Sequence, residues 1–98
     1  MRIYPNPGTG PFYLDVEHNA EGDSLEVEWT IHSPDGQRLF EDHWRGQATS
    51  AVLQATSWDG TDGHGHLLPA GWYVARVRVR RLSDGQTLHA AERVILLH

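Results

Sequence analysis

The sequence predicts an all-β domain, a seven-stranded immunoglobulin-like β-sandwich, on three observations. Apolar and polar residues alternate with period two in every segment long enough to test, and no stretch keeps the i, i+3, i+4, i+7 spacing of a helix. Turn signals separate these segments about every eight to twelve residues. The 98 residues leave room for a single core, because a chain this short buries only about 60–65 % of its unfolded surface. A small closed barrel is the alternative architecture.

The elements follow in order. Arg2-Ile3-Tyr4 opens the chain before a Pro-Asn-Pro-Gly turn. Phe12, Leu14 and Val16 then alternate with Tyr13, Asp15 and Glu17, which is the pattern of a half-buried strand. Leu25, Val27, Trp29 and Ile31 alternate with Glu26, Glu28, Thr30 and His32 in the cleanest strand of the chain. Ser33-Pro34-Asp35-Gly36-Gln37 reverses direction, with Pro34 presetting φ at the first central turn position and Gly36 supplying a positive φ. A hairpin partner follows over 38–44. A less regular strand is expected over 51–58. A loop rich in Gly and Asp, 59–65, leads through Leu67-Leu68-Pro69-Ala70-Gly71 to a long strand from Trp72 to Leu82. Asp84-Gly85 predicts a type I′ hairpin turn, because its twist matches that of the flanking strands. The last strand runs from Thr87 to about Leu97.

With Asp84 and Gly85 central, the final hairpin acquires a register and therefore two faces. Tyr73, Ala75, Val77 and Val79 share one face with Leu88, Ala90, Val94 and Leu96, which reads as core. Glu92 is the misfit there, and a bulge near it is the simplest repair. The opposite face collects Arg76, Arg78, Arg80, His89 and Arg93 towards the turn, and Trp72, Val74, Ile95 and Leu97 at the far end. The arginines have two readings: cross-strand pairing with Glu26 and Glu28, or contact with an anionic ligand such as a lipopolysaccharide or other acidic glycan. The apolar end also has two: cover by the N-terminal strand or a loop, or a docking surface for another protein.

Other chemistries find little support. The chain has no Cys, which excludes disulfides and a thiol nucleophile, and no Ser-His-Asp or paired-carboxylate pattern stands out among the scattered His18, His32, His43, His89 and His98. The expectation is a non-enzymatic domain with no cofactor and no catalytic residues. Asp59, Asp62, His64 and His66 lie close together but lack a metal-ligand spacing; Asx-turns account for them, and no metal is expected. Thirteen acidic side chains against eight arginines give a net charge of −5, which disfavours nucleic acid as a partner. No apolar run reaches the roughly 18–20 residues needed to span a bilayer, so no direct membrane insertion is expected.

Several segments in sequence order resemble the C-terminal sorting domains of the type IX secretion system. These are Tyr4-Pro5-Asn6-Pro7, the turn Gly36-Gln37-Arg38-Leu39, and Leu68-Pro69-Ala70-Gly71-Trp72-Tyr73-Val74 followed by a C-terminal strand. Glu17-His18-Asn19, Trp58-Asp59-Gly60-Thr61-Asp62 with Gly65, and Arg93-Val94-Ile95-Leu96-Leu97 narrow the resemblance to the sortase branch of that family. The Trp-Asp-Gly-Thr-Asp run also occurs in the immunoglobulin-like domain of flagellar hook-capping proteins, so a structural spacer remains an alternative, as does the signal domain of a type IX cargo protein.

The resemblance implies one sorting and docking domain over residues 1–98, a C-terminal piece of a larger protein whose other domains include a cysteine peptidase. It implies transit through the periplasm to the outer membrane and cell surface. The partner it implies is an outer-membrane β-barrel shuttle protein, PorV, with the parent catalytic domain as a second contact. The family's export signal maps onto residues 87–98. This sequence departs from the family in carrying Arg93 where Lys is common, and in ending at His98 directly after the apolar run.

Overall fold

The computed structural model describes residues 2–17, 22–47 and 52–97, and these form two antiparallel sheets. The strands are β1 (Arg2–Tyr4), β2 (Phe12–Glu17), β3 (Ser24–His32), β4 (Arg38–Gln47), β5 (Val52–Trp58), β6 (Gly71–Arg81) and β7 (Thr87–Leu96). One sheet has the order β1-β2-β5 and the other β4-β3-β6-β7. This is a β-sandwich, and its order is compatible with the immunoglobulin-like class. His18, Asn19, Ala51 and His98 lie outside the described residues.

The alternation explains the core. Phe12, Leu14 and Val16 of β2 point inward against Leu25, Val27, Trp29 and Ile31 of β3 and Tyr73, Ala75, Val77 and Val79 of β6. Burial of each such large side chain contributes about 1.5–3 kcal/mol. Trp58 lies at the centre, stacked on Phe12 at 5.3 Å between centroids and edge-on to Tyr73 at 6.0 Å. Its indole N–H donates to the Thr61 carbonyl at 2.8 Å, which ties the following loop to the core. Tyr73, at the start of β6, donates its hydroxyl to the Pro69 carbonyl. That is the geometry of the tyrosine corner of immunoglobulin-like sandwiches.

The first hairpin forms as the sequence predicts: Gly36 N–H bonds the Ser33 carbonyl at 2.9 Å, and Gly36 has φ +93°. The last hairpin differs. Its register pairs Gly71 with Leu96 and Arg80 with Thr87, two residues displaced from that of a two-residue turn. Arg81 N–H bonds the Gln86 carbonyl and Gly85 N–H bonds the Arg81 carbonyl, each at 2.8 Å, so four residues make the loop. A type I′ turn needs positive φ at both central residues. Among the described residues only glycines have it, and here Gly85 alone, at +74°. Asp84 instead accepts the Gln86 N–H at 2.9 Å. A shift of two preserves which face each side chain occupies.

Two further expectations are corrected. Leu88 and Ala90 share the inward face but are exposed, Leu88 by 56 %. The facing sheet ends in the three-residue β1, about 10 Å long, which cannot cover a ten-residue β7 of about 33 Å. Only Val94 and Leu96, beside the continuation of β1, are buried. No bulge occurs at Glu92, which pairs directly with Ala75 in an unbroken register. Because that half of β7 is uncovered, a half-buried carboxylate there needs no repair.

Candidate partner-binding surface

The outer face of the four-stranded sheet brings together all the side chains expected on it. Register places Arg80 beside Glu26 and Thr87, Arg78 beside Glu28 and His89, Arg76 beside Thr30 and Ala91, and Val74 beside His32 and Arg93. Trp72 and Ile95 are opposite one another at the end of the hairpin. Trp72 is 43 % exposed, Ile95 37 % and Leu97 44 %, while Val74 is half-buried. Arg93 lies over the Trp72 ring, 5.0 Å from its centroid, so the charged and apolar halves join in a cation–π contact.

The N-terminal segment reaches this hairpin at its edge and leaves the apolar face open. Gly8 donates to the Ile95 carbonyl at 3.1 Å and accepts from the Leu97 N–H at 2.7 Å. Asn6 brackets the same edge, donating to the Arg93 carbonyl at 2.7 Å and accepting from the Ile95 N–H at 3.0 Å. The sequence carries a signal for this contact that its pattern does not reveal. Pro5 and Pro7 have no N–H, so the side-chain amide of Asn6 supplies the donor that they lack, and its oxygen accepts the Ile95 N–H beside it.

Pairing of the arginines with β3 occurs at one position. Arg78 bonds Glu28 at 3.1 Å, an exposed pair of the kind worth about 0–1 kcal/mol. Glu28 also faces His43 at 4.0 Å. Arg76 and Arg80 have no carboxylate within ion-pair distance among the described residues, although Glu26 is the register neighbour of Arg80. Glu28, Thr30, Arg76, Arg78, His89 and Ala91 line a shallow depression of about 500 Å³. On β4, His43 bonds Glu41 at 2.7 Å; that bond raises the imidazole above its ordinary value and lowers the Glu41 carboxyl.

The Asp- and Gly-rich loop is a set of Asx-turns. Asp59 accepts from the Thr61 N–H at 3.1 Å, and Asp62 from those of His64 and His66 at 2.8 and 3.0 Å. These backbone donors, that of His66 foremost, hold the Asp62 carboxyl below the usual carboxylate range. No group of three or more metal-ligating side chains occurs among the described residues.

The fold has counterparts among solved structures. The chain superposes on part of dimeric latent PorU from Porphyromonas gingivalis with a TM-score of 0.80 and 23 % identity, covering 98 % of this chain and 9 % of that one. It also superposes on part of PorZ, an essential surface component of the type IX secretion system of the same bacterium. There the TM-score is 0.50 and the identity 15 %, over 99 % of this chain and 11 % of PorZ. No family model and no curated protein matches the sequence. The chain thus shares a fold with about a tenth of each of these larger proteins.

Proposed function

We propose that this chain is a non-enzymatic sorting and docking domain of a type IX secretion protein, of the kind carried by the sortase PorU. It acts at the outer membrane and cell surface after crossing the periplasm, and it binds the outer-membrane barrel PorV through the outer face of its C-terminal hairpin. The supporting observation is the exposed cluster of Trp72, Ile95 and Leu97. Large apolar side chains grouped on the solvent side of a sheet mark an interaction surface. Arg93, stacked on Trp72, and Arg76, Arg78 and Arg80 along the same face add a basic border. The fold shared with PorU and PorZ supports the assignment to that system.

Ile95→Asp with Leu97→Asp tests the reading, because both side chains point away from the core and the fold should survive. The expected result is loss of co-purification with the barrel at an unchanged unfolding midpoint. Undiminished capture would reject it. Deletion of residues 87–98 is a poorer test, since it also removes Val94 and Leu96 from the core. A spacer role is the second reading, favoured by the small fraction of PorU and PorZ that the fold spans. Cross-links joining Trp72 or Leu97 to a parent catalytic domain, without barrel contact, would support it.

A further inference from the structure

We propose that the open half of the β7 edge, Thr87–Glu92, is a strand-addition site for an extended partner segment that alternates acidic and apolar side chains. This site shares Arg76, Arg78 and Arg93 with the basic border of the barrel face but not its apolar cluster of Trp72, Ile95 and Leu97. It is defined by backbone groups. The bonds to Gly8 and Asn6 show that Arg93, Ile95 and Leu97 direct backbone groups towards the free edge of the sheet. Alternation along an antiparallel strand then directs the N–H and C=O of His89 and Ala91, and the N–H of Arg93, to the same side. No hydrogen bond reaches these groups among the described residues. The chain's own Asn6–Gly8 segment already adds to the edge, in parallel at Leu96, and stops short of this half.

The two edges of the sheet differ in how they are protected. Natural edge strands discourage pairing with charges, prolines or bulges. Along β4 there are Arg38, Glu41, Asp42, His43 and Arg45, with a register shift at Ile31/His32 on its partner strand. Along β7, Thr87-Leu88-His89-Ala90-Ala91 has no formal charge at neutral pH, no proline and no register shift, and every residue is exposed; the first charge is the half-buried Glu92 at the far end of this half.

The flanking side chains specify the occupant. On the inward side, Leu88 and Ala90 offer an apolar strip that ends at the Glu92 carboxylate. On the outward side, Arg76, Arg78, His89 and Arg93 border the edge, and Arg76 has no carboxylate partner among the described residues. An added strand with apolar residues on the first side and carboxylates on the second matches both. A second copy of the chain matches poorly, because the outward side of its own β7 carries Thr87, His89, Ala91 and Arg93 and offers no carboxylate to Arg76.

The probe is a capped heptapeptide alternating Val and Glu, added to the full chain, with amide hydrogen exchange read by NMR. In the free protein the His89 and Ala91 amides should exchange rapidly while those of Leu88 and Ala90 are protected. Saturating peptide should slow His89 and Ala91 by about tenfold or more. The same peptide N-methylated on alternate amides, and a Val/Lys version, should leave them unchanged. Ala91→Pro should abolish the effect, since proline is tolerated where an edge N–H faces solvent. If that variant does not fold, the N-methylated peptide carries the test. Unchanged exchange with the Val/Glu peptide would overturn the proposal, as would equal slowing by the Val/Lys peptide. So would protection of both amides in the free protein, whether constant or rising with protein concentration as self-pairing requires. Ile95→Asp with Leu97→Asp should retain the peptide response, so this site and the barrel face can fail independently.

Discussion

Asn6→Ala isolates the contact that closes half of the β7 edge. The substitution removes a donor 2.7 Å from the Arg93 carbonyl and an acceptor 3.0 Å from the Ile95 N–H, while the Gly8 backbone bonds remain. A net hydrogen bond contributes about 0.5–1.5 kcal/mol, and both freed backbone groups lie at an exposed edge where water can replace the side chain. The expected loss is therefore at the low end of two bonds, about 1 kcal/mol. For a domain of this size that lowers the melting temperature by about 4–8 °C. Urea unfolding should show a reduced midpoint with an unchanged m-value, because the surface exposed on unfolding is the same. The Ile95 amide should exchange faster by about tenfold, whereas that of Leu97, held by Gly8, changes less. Asn6→Asp separates the two halves of the contact: it keeps the acceptor for Ile95 and sets a carboxylate against the Arg93 carbonyl. An unaltered midpoint together with unaltered Ile95 exchange in Asn6→Ala would refute the view that this side chain clamps the edge.

Three other predictions concern single residues. Trp58→Phe should cost about 1–2 kcal/mol more than Trp29→Phe in urea unfolding; Trp58 loses a bond to Thr61, whereas the buried Trp29 indole nitrogen has no partner among the described residues and its removal relieves an unsatisfied donor. Gly85→Ala should destabilise by about 1–2 kcal/mol through its positive φ alone, since an added Cβ meets nothing within 4 Å; an unchanged midpoint would contradict the loop geometry. His43 should titrate above its ordinary value of 6.5 by NMR, because of its bond to Glu41, and Glu41→Gln should bring it back down; Asp42 and Glu28 add smaller attractions of the same sign. A raised folded-state value means that this contribution to stability is complete below the unfolded-state pKa and is lost as pH rises through the folded one.

Much of the fold was legible because half-buried strands carry their burial in a period of two. Leu25, Val27, Trp29 and Ile31 could face only one way, and their pattern forecast the strand and its buried face together. The two sides of the last hairpin were legible for the same reason, and they survived an error in the turn. The predicted and observed registers differ by two residues, which returns every side chain to its own face. What could not be read was coverage. Leu88 and Val94 have the same parity and similar chemistry, yet one is exposed and the other buried.

The sequence by itself determined the strand pattern, the inward and outward sets of side chains, and the grouping of Trp72, Val74, Ile95 and Leu97 beside the arginines. Local alternation and turn chemistry carry that information within a few residues. Only the tertiary structure decided how far the second sheet reaches, that Asn6 and Gly8 close one half of the β7 edge, and that residues 87–92 stay open on that side. The residues concerned lie almost the whole chain apart, and no local pattern records how far a three-residue strand extends over a ten-residue one.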